Sequence, residues 1–136
     1  IIAIAENNNE FICCFEKMEF SFEKLVIWQK SRFLVKEVYR IVSAFPPQEK
    51  YALSDQLRRA VVSIASNIAE GTGRFSNKEK AHFCEIAYGS MMEVICQLTL
   101  AVDLGITTQK ELDNLRPVFE ELSRQLCAYH NTMLKK

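Results

Sequence analysis

Several small clusters in the 136-residue chain could do chemistry. His82 stands three residues after Glu79 and three before Glu85, so on a helix the three share one face. Such a trio could hold a metal ion. It lacks the Glu-x-x-His pair repeated on two helices that di-metal bundles use, so a solvated histidine among carboxylates is the simpler reading. His130 falls near the end of a helical segment, where a cation suits the helix dipole. Cys84 with His82 and Glu85 does not have thiol-protease spacing. Asn67 beside Glu70 could suggest acid–base work, but on a helix that meets a neighbour the pair is more simply structural. The glycines of "EGTGR", residues 70–74, follow a helix, whereas phosphate-binding loops precede one. An anion resting beside Arg74, before the next helix, is what remains of that option. No catalytic, cofactor-binding or metal-binding residue is assigned, and an enzyme is not expected.

Basic side chains are the more serious candidates. Arg32, Lys36 and Arg40 form an i, i+4, i+8 ladder, and Arg58, Arg59 and Arg74 add charge further on. Arg32, Lys36, Arg40, Arg58 and Arg74 are therefore the expected phosphate contacts for RNA or DNA. The bland alternative is a solvated helix face. Lys plus Arg equals Asp plus Glu, at 17 each, and a net charge of zero argues against tight general binding. No aromatic-and-basic RNA-reading motif is visible.

The elements that must position these residues read as helices. Gly and Pro are sparse and fall where helices should end. The first helix is expected over residues 22–45, closed by Pro46-Pro47. The second opens at Ser54 as N-cap and ends at Gly71. The third opens on a capping box from Ser76 to Glu79 and runs to about Leu104, before Gly105. The fourth opens on a second box from Thr108 to Glu111, and Pro117 should kink it or move its start. Trp28, Leu57, Ile64, Ile68, Phe83, Leu98, Phe119 and Leu122 are the expected core. Short connections favour antiparallel neighbours, so the expected fold is all-α, an antiparallel up-down-up-down four-helix bundle.

Residues 18–136 form one domain, with Met18 reading as a natural start. Residues 1–17 read as an N-terminal extension foreign to that domain. Without them the balance is 16 basic and 14 acidic residues. No apolar run reaches the roughly twenty residues of a membrane span, so no membrane role is expected. Five cysteines without CxxC spacing read as reduced, buried thiols of a cytoplasmic protein.

From Ala60 to Ala69 the second helix carries no charge. Leu57, Val61, Ile64 and Ile68 make one apolar stripe, while Gln56, Arg59, Ser63, Asn67 and Glu70 make a polar one. A wet face would show Lys or Glu. Gln56, Arg59, Ala60, Ser63, Asn67 and Glu70 are therefore the expected contact with another subunit.

"FEKLVIWQKS", "FPPQEKYALSDQLRRAVVSIASNIAEGTGRFSNKE" and "IAYGSMMEV" closely resemble the 23S rRNA intervening-sequence protein family, over residues 20–135. The resemblance implies a bacterial four-helix bundle that assembles as a homopentamer. It also implies a relation to the accessory variability determinant of diversity-generating retroelements, which works with a reverse transcriptase and nucleic acid. Many members have proline where this chain has Ala65 and glycine where it has Ala52, so a straighter second helix is expected. In a ring of five the basic ladder would recur five times. Two function classes stand: a non-enzymatic nucleic-acid-associated scaffold, and a structural assembly protein whose partner is another protein.

Overall fold

The computed structural model describes residues 17–136. The expectation for residues 1–17 therefore lies, except for Lys17, outside the described residues. Four α-helices account for most of the rest: α1 Val26–Ser43, α2 Leu53–Thr72, α3 Asn77–Asp103 and α4 Gln109–Lys135. Short 3-10 turns at Ser21–Lys24 and Pro47–Glu49 precede α1 and α2, and the described residues contain no strand. No described helix is long and apolar enough to cross a membrane.

Local chemistry sets most of the boundaries. Ser76 Oγ accepts from the Glu79 amide at 3.1 Å, and Thr108 Oγ1 accepts from the Glu111 amide at 3.3 Å. Each satisfies one of the amides that a helix start leaves unpaired. At the end of α3, Gly105 turns left-handed with φ of 71°. The Ile106 amide then reaches the Ala101 carbonyl at 2.9 Å, and the Gly105 amide reaches Val102 at 3.0 Å, a Schellman closure.

Three expected boundaries are corrected. Leu25 is extended and splits the expected first helix into a 3-10 turn and α1. The turn is held separately: Glu23 Oε2 accepts from the Phe20 amide at 2.7 Å, and the Phe22 ring packs edge-on to Trp28 at 4.9 Å. Ser54 is not an N-cap. The helix starts two residues earlier, at Leu53, Ala52 holds the cap position without a side-chain bond, and Ser54 is buried. Pro117 does not move the start of α4, which runs unbroken through it. Its ring and the Asp113 carbonyl it leaves unbonded lie among exposed residues, so water can satisfy the carbonyl. α2 likewise runs unbroken through Ala65.

Each helix packs on its two neighbours in a closed cycle, and the backbones of the diagonal pairs stay apart. α2 against α3 is the most extensive seam, and α1 against α4 the lightest. Side-chain pairs show the sense of packing. Ser63 meets Ser90 and Gln56 meets Gln97, so numbers fall on α3 as they rise on α2. Lys30 meets Glu121 and Arg40 meets Glu111 in the same reversed order on α1 and α4. Cys84 meets Leu126 and Tyr88 meets Ser123 on α3 and α4. This pattern fits the expected up-down arrangement.

Inside the cycle lies one core. Leu34, Val38, Leu57, Ile64, Met91, Val94, Leu98 and Leu122 are fully buried in it. Of the expected core residues, Trp28 and Phe83 are only half-buried, Trp28 packed at the edge of the core and Phe83 close against Gly71 of α2. Leu122→Ala should lower unfolding stability by about 2–5 kcal/mol, because its site is enclosed on all sides and a cavity would remain. Chemical denaturation checks this, and an unchanged midpoint would contradict the register of α4.

Candidate functional site

The expected phosphate contacts separate into two groups. Arg40 is committed to carboxylates: its Nη1 and Nη2 donate to Glu111 at 3.1 and 2.8 Å, and its Nε donates to Glu37 at 2.8 Å. The guanidinium in turn holds the Glu111 carboxyl below the usual carboxylate range. Arg74 is also engaged, pairing with Glu70 at 2.8 Å while its guanidinium covers the Phe83 ring at 4.5 Å. Arg59, one turn into α2, pairs with Asp55 at 3.2 Å.

Arg32, Lys36 and Arg58 form no ion pair among the described residues. Arg32 and Lys36 are exposed, and Arg58 is half-buried. The Arg32 guanidinium rests 5.5 Å from the centre of the Trp28 ring, which orients it without neutralising it. Helical phase places exposed Tyr39 beside Arg32 and Lys36 on the solvent side of α1. In helical phase Arg58 lies on the flank of α2 opposite Gln56 and Ser63, which meet α3, and so on the side towards α1. Three unneutralised cations and one exposed phenol ring thus share the outer α1–α2 surface. Tyr39 was missed as a site residue because its spacing also fits the core.

The expected subunit contact changes more. Ala60 is 4% exposed and belongs to the chain's own core, which corrects its placement on an outer face. Its methyl lets α3 approach closely. Ser63 and Asn67 are half-buried at the α2–α3 seam. Ser63 and Ser90 share a hydrogen bond of 2.8 Å, and Asn67 Nδ2 donates to the Ser63 carbonyl at 2.8 Å and hydroxyl at 2.9 Å. Their polarity is thus largely used within the chain. Gln56, Arg59 and Glu70 remain exposed.

A larger neutral surface lies on α3. Glu93 is the only charge between Glu85 and Asp103. Ile86, Met92, Leu100 and Leu104 are exposed there, with Val62 exposed on neighbouring α2. A helix apolar nearly all round is ordinarily covered on all sides. The sequence carried this signal, in a run of 17 residues with one charge.

The histidines and thiols also move. His130 Nε2 lies 2.7 Å from Glu85 Oε1, tying α4 to α3, so Glu85 serves His130 rather than His82. Among the described residues no group of three or more His, Cys, Asp and Glu could hold a metal ion. Cys84 is buried as expected, but Cys96 and Cys127 are exposed. Cys84 Sγ donates to the Leu126 carbonyl at 3.3 Å. Burial, aided by nearby Cys127 and Glu85, pushes the Cys84 thiol up to about 11.

A family model for 23S rRNA-intervening sequence proteins matches residues 23–128. Among solved structures, the chain is similar to a protein of unknown function from the S23 ribosomal protein family of Bacteroides thetaiotaomicron. That likeness has a TM-score of 0.67 at 21% identity, and covers 76% of this chain and 96% of the other. At this identity it bears on the fold. No curated protein matches.

The Cys84 thiol sets a pH dependence. Its folded pKa is raised, so the native state holds the proton more tightly than the unfolded chain. Its contribution is complete below pH 9.0, the unperturbed value, and is lost as pH rises towards 11. Between those limits wild type should lose about 2–3 kcal/mol more stability than Cys84→Ala. Denaturation series at several alkaline pH values check this, and parallel pH profiles for the two proteins would refute it.

Proposed function

The chain belongs to the 23S rRNA-intervening sequence protein family, and we propose that it acts as a non-enzymatic, cytoplasmic homo-oligomer that binds RNA or DNA. Each subunit is an antiparallel up-down-up-down four-helix bundle, and five is the preferred number on the family resemblance. The observation that carries the nucleic-acid reading is the outer α1–α2 surface, where Arg32, Lys36 and Arg58 have no carboxylate partner among the described residues and Tyr39 is exposed. Unneutralised cations release counterions from phosphates, and an exposed ring offers a stacking surface. Repetition around a ring would multiply modest contacts. The resemblance to the retroelement determinant supports the same reading.

The assembly reading rests on α3. Ile86, Met92 and Leu100 leave an apolar strip open to water that a second copy would cover. A cyclic ring brings one face of each subunit against a different face of the next, and exposed Gln56, Arg59 and Glu70 on neighbouring α2 would supply polar groups to such a contact. The alternative, a scaffold for another protein, is favoured by the zero net charge. In that case the same strip would receive the partner.

Fluorescence polarisation with structured RNA and with single-stranded DNA, at two salt concentrations, tests binding. Arg32→Glu with Lys36→Glu should weaken binding to all sequences and reduce the salt slope by about 2. Equal binding by the variant moves the contact away from Arg32 and Lys36, and none by wild type near physiological salt removes the nucleic-acid reading. Light scattering at micromolar concentration tests assembly. Leu100→Glu places an unpartnered charge in the contact, at a cost of several kcal/mol, and should lower the mass to that of a monomer with helicity retained. A monomeric wild type refutes assembly, and an intact Leu100→Glu oligomer moves the contact away from α3.

A further inference from the structure

Lys36, Arg32 and Trp28 follow one another at four-residue spacing along one face of α1. Beyond Trp28 the row continues through two more rings. The Arg32 guanidinium lies 5.5 Å from the centre of the Trp28 ring, Phe22 meets Trp28 edge-on at 4.9 Å, and Phe20 lies parallel to Phe22 at 6.4 Å, within 8°. The row thus passes from cations to rings without a break. Trp28 and Phe22 are half-buried and anchor it. Phe20, at its end, has one side against Phe22 yet is 55% exposed, so its other side is open to water. The backbone that carries the ring is fixed from both directions. The Phe20 amide donates to Glu23 Oε2 at 2.7 Å, and the Glu23 amide donates to the Phe20 carbonyl at 3.0 Å. The carboxylates of this segment are therefore engaged, Glu23 by that amide and Glu19 by Lys24 at 3.4 Å.

We propose that the ligand of this surface is single-stranded nucleic acid, with Phe20 as the side chain on which a base stacks while Arg32 and Lys36 hold the neighbouring phosphates. This rests on the nucleic-acid reading above and narrows it. A duplex keeps the faces of its bases inside its own stack, so it can offer phosphates to the cations but no face to Phe20. An unpaired strand offers both. Every base has a π-face, so the contact selects strandedness rather than sequence. A purely apolar occupant would cover the rings but bring nothing to neutralise the cations at the other end of the row. A strand satisfies both ends at once.

Three labelled probes with the same number of phosphates test this by fluorescence polarisation: an oligothymidylate, an abasic strand and a duplex. Wild type should bind the oligothymidylate about tenfold more tightly than the abasic strand, the effect of one stacked base. Phe20→Ala should bring these two affinities together and leave the salt slope for the abasic strand unchanged, because no phosphate contact is lost. Phe20→Tyr keeps a ring and should restore the difference. Circular dichroism and light scattering check that each variant keeps its helicity and its mass. Three results would each overturn the inference and leave the nucleic-acid reading standing. They are equal wild-type binding of oligothymidylate and abasic strand, a preference that survives Phe20→Ala, and tighter wild-type binding of the duplex. Failure of wild type to bind any of the three probes overturns both. A lower mass for Phe20→Ala would assign the ring to a contact with a second copy, and so also overturn the inference.

Discussion

The closeness of α2 to α3 is the constraint on which the rest of the molecule depends. A methyl group added at Gly71 would lie 2.9 Å from the Phe83 Cβ, nearer than such atoms come. Ala60 and Ser63 continue the narrow contact along α2. With the two backbones this close, the core stripe of each helix is pinned, and so is the direction of every outward side chain. Phe83 is held at the rim, Arg74 covers its ring, and Arg74 in turn fixes Glu70. One glycine therefore propagates into the orientation of three surface groups. A polar pair at this seam acts in the same sense: buried Gln97 donates from Nε2 to Gln56 Oε1 at 3.1 Å, which resists sliding of one helix along the other.

Charge is handled locally. Half of the ion pairs among the described residues join groups three or four apart in sequence, and such exposed pairs contribute little to stability. Their larger effect is to decide which cations remain unneutralised. Arg40 and Arg74, indistinguishable from their neighbours by type, are engaged by acids that the fold brings to them. Arg32, Lys36 and Arg58 are not. A patch of positive potential thus emerges on a chain whose total charge is zero.

Features governed by chemistry within a few residues were legible in the sequence. The Ser76 and Thr108 caps and the Gly105 turn all formed where the residue types required them. Most of the core followed from helical spacing. The outward phase of α2 did not, because a helix with no charge from Ala60 to Ala69 offers no wet side to orient by, and Ala60 could be placed on either flank. Ser54 misled because serine suits a helix start and also a tight buried site. The apolar exterior of α3 and the His130–Glu85 contact depend on which helices meet, and spacing along one helix carries no record of that.

The lightness of the α1–α4 seam bears on the order in which the molecule comes together. Ser63 and Ser90, which join α2 to α3, are 27 residues apart, whereas Arg40 and Glu111, which join α1 to α4, are 71 apart. Closing the longer loop costs about 1 kcal/mol more chain entropy, and fewer contacts reward it. The α2–α3 hairpin is therefore the natural nucleus, and the α1–α4 seam the last to close and the first to open. During synthesis α4 follows α1 by the length of two helices, so the flank of α1 that faces α4 stays uncovered until α4 has been made.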